Sequence, residues 1–212
     1  GNKERIMGVF EELFSVRFLL SCTICFGVYV LTPSFITLWI GEEYVLDDLT
    51  LGLMVAMLYI QLTRTTVEAY INAYGLFSDI WAPVIEALIN VGMSVLLGAF
   101  FGLHGILTGV LLSLLVIVFC WKPYFLFRQG LKVKIRIYIA LYVRHLLIMA
   151  VVTGVMLFLL NLWTLNPAGN VETLLLYGAV AICGFFILLC GALYSLERGM
   201  QSFIYRIRNL SR

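Results

Sequence analysis

Thr173-Leu-Leu-Leu-Tyr-Gly-Ala-Val-Ala-Ile-Cys-Gly-Phe-Phe-Ile-Leu-Leu-Cys-Gly-Ala-Leu-Tyr-Ser195 contains no charged side chain. A hydrocarbon core about 30 Å thick needs about 20 mostly apolar residues at about 1.5 Å of helical rise each, and this stretch meets that requirement. Upstream lie five more such runs, from Phe14 to Ile40, Leu49 to Ala73, Pro83 to Phe101, Gly105 to Phe127 and Tyr138 to Trp163. None alternates as a lipid-facing barrel strand would, and lipid admits only helices or closed barrels. Composition agrees: 62% of residues are hydrophobic and 12% charged, and mean hydropathy is +1.02, far from the soluble norm of about half apolar and a quarter charged. The expected fold class is therefore an all-α membrane protein of about six transmembrane helices.

The 14 Lys and Arg residues set an orientation. Lys3, Arg5 and Arg17 precede or enter the first span. Lys122, Arg128, Lys132, Lys134 and Arg136 lie between the fourth and fifth, with Arg144 just inside the fifth, and Arg198, Arg206, Arg208 and Arg212 follow the sixth. The connection holding Glu42, Glu43, Asp47 and Asp48, the turn around His104 and the loop from Asn166 to Asn170 carry no Lys or Arg. By the positive-inside rule those three connections face outward and both termini face the cytoplasm, which places the chain as a multi-pass protein of the cytoplasmic membrane. Trp39 and Trp163 then mark outer boundaries and Trp81 and Trp121 inner ones, as interfacial anchors do.

Five segments follow. Residues 1–13 form a cytoplasmic lead-in, either amphipathic through Ile6, Phe10, Leu13 and Phe14 or a plain helical extension. Residues 14–127 hold four spans, 128–137 a basic interfacial segment, 138–195 two further spans, and 196–212 a basic tail. The net charge of +2 is divided between the two sides of the membrane, and no nucleic-acid motif accompanies it. Cys22, Cys25, Cys120, Cys183 and Cys190 all fall within spans, as small apolar packing residues do, so neither a metal nor a cofactor is expected. Gly105, Gly109 and Ser113, and likewise Gly184, Gly191 and Ser195, have the spacing of close-packing seams, and Pro33 that of a kink.

The second span breaks the apolar pattern. At 100° per residue Gln61, Arg64, Thr65, Glu68 and Asn72 share one face, and Arg64 lies about ten residues, or about 15 Å, from the inner end near Gly75. An ionised side chain at such depth costs at least about 2.5 to 3.5 kcal/mol, so the stripe must face protein or water. The third span repeats the pattern with Glu86, Asn90 and Ser94 at four-residue steps. Two accounts stay open: a polar pathway between these spans, or an Arg64–Glu68 pair that only neutralises itself inside the bundle. After the fourth span Lys132, Lys134 and Arg136, interleaved with apolar residues, suit a phospholipid headgroup layer.

Phe35-Ile-Thr-Leu-Trp39-Ile-Gly41-Glu-Glu-Tyr44, Arg64, Ala73-Tyr-Gly75-Leu-Phe77, Trp81-Ala-Pro83-Val-Ile-Glu86-Ala-Leu-Ile-Asn90, Gly102-Leu-His-Gly105-Ile-Leu-Thr-Gly109 and Trp121-Lys122-Pro123 resemble, in order and spacing, the polysaccharide and O-antigen flippases of the multidrug/oligosaccharidyl-lipid/polysaccharide exporter superfamily. Those transporters have two lobes around a central cavity. The resemblance implies that the first four spans are later helices of the second lobe, with two appended helices after them, and that the first lobe is a partner outside this chain, which opens on Gly1 as a fragment would. It further implies transport of an isoprenoid-diphosphate-linked oligosaccharide, with Arg64, Gln61, Glu68, Asn72, Glu86 and Asn90 as substrate-binding candidates and membrane lipids around them. An antiporter of the same superfamily, with Glu68 or Glu86 binding a coupling ion, and a noncatalytic membrane assembly subunit are the alternatives. No catalytic side-chain constellation is visible in the sequence, so no enzyme is expected.

Overall fold

The computed structural model describes residues 2–163 and 167–210, and among these every regular element is a helix. Helix α1 (Asn2–Trp39) leads through a tight turn at Glu42–Tyr44 into α2 (Asp48–Ala73). Helix α3 (Ala82–Leu114) continues through wide π-type turns at Leu115–Trp121, the single turn α4 (Lys122–Phe125) and a second π-type segment at Leu126–Leu131. Then come α5 (Ile135–Asn161), α6 (Val171–Leu196) and α7 (Arg198–Leu210). Arg212 and Asn166 lie outside the described residues.

Among the described residues, four segments are long and apolar enough to cross a bilayer: Lys3–Trp39, Ala82–Leu131, Ile135–Asn161 and Val171–Leu196. This is the pattern of a multi-pass membrane protein, but the count differs from the expected six in two places. Helix α2 has the length, yet Gln61, Arg64 and its threonines hold its hydropathy down. The third and fourth expected spans arrive as one segment that folds back on itself. In a straight helix Ser94 and Gly109 would stand about 22 Å apart; here a β-carbon on Gly109 would lie 2.4 Å from the Ser94 nitrogen. The reversal occurs at Gly102, whose φ of +58° and ψ of −133° belong to no helix and suit glycine alone. It separates an arm at 82–101 from one that starts at 103.

The chain forms two compact units, one of residues up to Leu46 together with those from Tyr142 onward, the other Asp47–Leu141. In the second unit, Gly105 sits against the Leu97 carbonyl, Gly109 against Ser94, and Ser113 is fully buried. The glycine series is thus the seam of the hairpin, where missing side chains let two backbones touch. Helix α2 packs on the far arm through Ile60, Leu114 and Val118, flanked by Met57, Val110 and Leu111. Val84, Leu88, Val91, Val95 and Phe100 of the near arm are exposed, an apolar surface suited to lipid. Asp47 caps α2 by accepting from the Thr50 backbone (3.0 Å) and hydroxyl (2.7 Å), and His104 lies 3.0 Å from the same carboxylate.

In the other unit, α1 and α6 meet through Phe26 and Phe185, stacked at 4.1 Å. Gly27 and Gly178 admit Ile182 and Leu31 at 3.1 and 3.0 Å. The seam expected at Gly184, Gly191 and Ser195 is only partly present. A β-carbon at Gly184 would meet Met156, whereas one at Gly191 would meet nothing within 4 Å, and the Ser195 hydroxyl donates to the Gly191 carbonyl in its own helix. Helix α1 runs unbroken through Pro33 for 38 residues, about 57 Å against a hydrocarbon core of about 30 Å, so part of it extends beyond the bilayer. Helix α7 packs along its early turns. A β-carbon at Gly199 would meet the Glu11 carbonyl at 2.5 Å, Met200 is buried, and Arg206 Nη2 donates to Glu12 Oε1 at 3.1 Å. What the sequence presents as a lead-in and a basic tail are a helical continuation and its packing partner.

Candidate functional site

Helical spacing puts Gln61, Arg64 and Glu68 one turn apart, and their side chains join into one chain of bonds. Arg64 donates from Nη1 to Gln61 Oε1 at 2.8 Å and from Nε and Nη2 to Glu68 Oε1 at 3.0 and 2.7 Å. Lys122 Nζ donates to the same Oε1 from the far arm of the hairpin. Pro123 follows it, with no N–H to give to the carbonyl four residues back, and the winding on either side of this turn is of the wide π type, a form common at functional sites.

Side chains in the cluster are 23% (Arg64), 28% (Glu68) and 11% (Lys122) exposed, while Gln61, Thr65 and Asn72 are exposed. Two cations share one carboxylate, so the group carries a formal charge of +1 and opens at a surface rather than closing inside the packing. A self-neutralising pair would need no second cation. The arrangement can attract an anion and offer it amide and hydroxyl groups alongside.

The other candidates are placed differently. Glu86 and Asn90 stand on the near arm, half-buried. Asn90 Oδ1 accepts from Ser94 of its own helix at 3.2 Å, and Glu86 pairs with no cation among the described residues. The expected meeting of second and third spans is therefore, in its polar part, a meeting of α2 with Lys122. Lys132, Lys134 and Arg136 are all exposed. Lys132 ends the π-type segment in the left-handed conformation, φ +53°, and Val133 N returns to the Phe127 carbonyl at 3.1 Å.

Lys122 was not among the expected binding residues, because a lysine closing an apolar run ordinarily reports only which side is cytoplasmic. A second grouping was also invisible in the sequence. Ser15 Oγ lies 3.0 Å from His145 Nε2, and His145 Nδ1 lies 3.9 Å from Glu197 Oε1. Ser15 and His145 are both 0% exposed and no substrate reaches them in this arrangement; 3.9 Å also exceeds a hydrogen bond. Glu197, where α6 gives way to α7, accepts from Arg144 Nη2 at 2.9 Å. Burial pushes its carboxyl above the usual range, partly opposed by Arg144. His145 also packs edge-on to the rings of Phe14 and Phe18, each 5.1 Å away, so the group ties α1, α5 and α7 together.

Fold and site together define a helical protein of multi-pass pattern with a half-buried cationic cluster on one polar helix face. Nothing more particular comes from known proteins: no family model, no curated protein and no solved structure matches this chain.

Proposed function

We propose that this chain is the C-terminal part of a flippase that carries an isoprenoid-diphosphate-linked oligosaccharide across the bacterial cytoplasmic membrane for polysaccharide export, its termini cytoplasmic and a first lobe supplied elsewhere. The observation that carries this reading is the convergence of Arg64 and Lys122, from two helices, on one half-buried carboxylate oxygen with a surplus positive charge. A diphosphate is a natural ligand for such a group, since charge-assisted bonds to phosphoryl oxygens are short and strong and gain further where water is scarce. Gln61, Thr65 and Asn72 provide sequence-tolerant hydrogen bonding beside it. The order of motifs resembling the exporter superfamily supports the same assignment, as does the exposure of Lys132, Lys134 and Arg136, which suits contact with anionic headgroups. For the antiporter alternative, Glu68 is a poor seat for a coupling ion because two side-chain cations already occupy it.

The test is glycan-lipid export by the full transporter. Arg64→Ala should impair export more than Arg64→Lys, with protein level unchanged, because a cation without the bidentate geometry retains part of the attraction. Restored export in Arg64→Ala/Glu68→Ala would assign the pair to structure and refute the contact with substrate.

A further inference from the structure

Three hydrogen bonds from two cations, Arg64 Nε, Arg64 Nη2 and Lys122 Nζ, end on one atom, Glu68 Oε1. An oxygen that accepts three charge-assisted bonds presents to the two cations what one phosphoryl oxygen of an anionic ligand would present. We infer that Glu68 is a tethered competitor: its carboxylate occupies the place of an anionic ligand's oxygen while the site is empty, and the ligand enters by displacing it. This rests on the anion-binding role proposed for Arg64 and adds to it a regulating residue.

Two features of the site make the exchange feasible. Without Glu68, Arg64 and Lys122 would repel each other in a poorly solvated setting, so the carboxylate holds the empty site together. And Glu68 is 28% exposed on a side chain with three rotatable bonds, next to exposed Thr65 and Asn72 on the same face, so it has somewhere to swing. A carboxylate that returns when the ligand leaves keeps affinity moderate and release fast, as a carrier requires. Glu68 therefore opposes binding rather than contributing to it, although it lies in the middle of the binding residues.

The whole transporter in nanodiscs of neutral lipid would be titrated with inorganic diphosphate and, separately, with farnesyl diphosphate, to distinguish a free anion from a lipid-linked one. Glu68→Gln keeps the shape and removes the competing charge. It should bind at least about tenfold more tightly, the factor that about 1.4 kcal/mol represents. Glu68→Asp keeps the charge on a shorter arm and should fall between the two, which preserves the test should the glutamine variant fold poorly. A gain confined to farnesyl diphosphate would identify the lipid-linked form as the ligand; an equal gain with both would identify the diphosphate group alone, and either supports the competitor. Arg64-dependent binding that Glu68→Gln leaves unchanged or weakens would overturn the competitor and spare the anion site. Absence of binding in every form would overturn both.

Discussion

Gly105→Ala adds one methyl group where the hairpin allows none. Its β-carbon would lie 2.0 Å from the Leu97 carbonyl oxygen, 2.4 Å from that carbonyl carbon and 2.8 Å from the Gly98 nitrogen. All three are backbone atoms and cannot rotate aside. Reaching an ordinary contact of about 3.4 Å means separating the two arms by about 1.4 Å (3.4 minus 2.0) along a seam that also includes Gly109. Forcing extra volume into a packed interface costs about 1 to 3 kcal/mol, and a backbone neighbour places this case at the upper end. The gain in helix propensity from glycine to alanine, about 1 kcal/mol, offsets part of it, leaving a net loss of about 2 kcal/mol. Gly92→Ala is the control: nothing lies within 4 Å of its β-position, so propensity alone acts and stability should hold or rise. Unfolding in mixed detergent micelles, followed by helical circular dichroism, would compare the two. A Gly105→Ala protein as stable as wild type would refute the hairpin seam.

Other consequences follow from the same coordinates. Single cysteines at Glu43 and Ala168 should react with an impermeant thiol reagent added outside sealed cells and one at Lys132 should not; labelling of Lys132 would reverse the orientation. Burial holds the Glu197 carboxyl above its ordinary range, so its contribution to stability is intact below about pH 4.3, the unfolded value, and is lost as pH rises through the higher folded one. Melting temperatures across that range should therefore fall less in Glu197→Gln than in wild type, and identical slopes would contradict this. Asp47 behaves oppositely. Hydrogen bonds from the Thr50 hydroxyl and backbone, then from His104, hold its carboxyl below the usual range, so stability present above the unfolded value of about 3.9 declines as pH falls toward the folded one, and Asp47→Ala should remove that decline in the same melts.

Much of the scaffold is legible along the chain because its determinants are local. The run from Leu49 to Ala73 becomes α2 within one residue, since Asp47 is a capping side chain and Gly75 takes a positive φ just past the end. Gly105 and Gly109 announce a close approach through spacing alone. What the sequence cannot disclose is which surface a helix turns to which neighbour. Arg64 and Glu68 are visible as a pair at helical spacing, but Lys122 lies 54 positions from Glu68 and joins it only because the chain reverses at Gly102 and α2 packs on the arm beyond. Ser15 and His145 are 130 positions apart, and no periodicity links them. The polar stripe of α2 is also why its hydropathy falls below that of the other long helices: a helix can be long enough to cross and still carry a face that lipid would not tolerate.

The central claim is that the diphosphate of a lipid-linked glycan sits against the polar face of α2. A photoreactive benzophenone side chain at Thr65, exposed beside Arg64, would be irradiated in membranes of a polysaccharide-producing cell that contain the whole transporter, with Leu88 on the exposed apolar arm as the reference position. Mass spectrometry of the recovered protein should find a glycolipid adduct at Thr65 and only phospholipid adducts at Leu88, the first disappearing in Arg64→Ala. Phospholipid alone at both positions, or a glycolipid adduct at Thr65 that persists without Arg64, would contradict it.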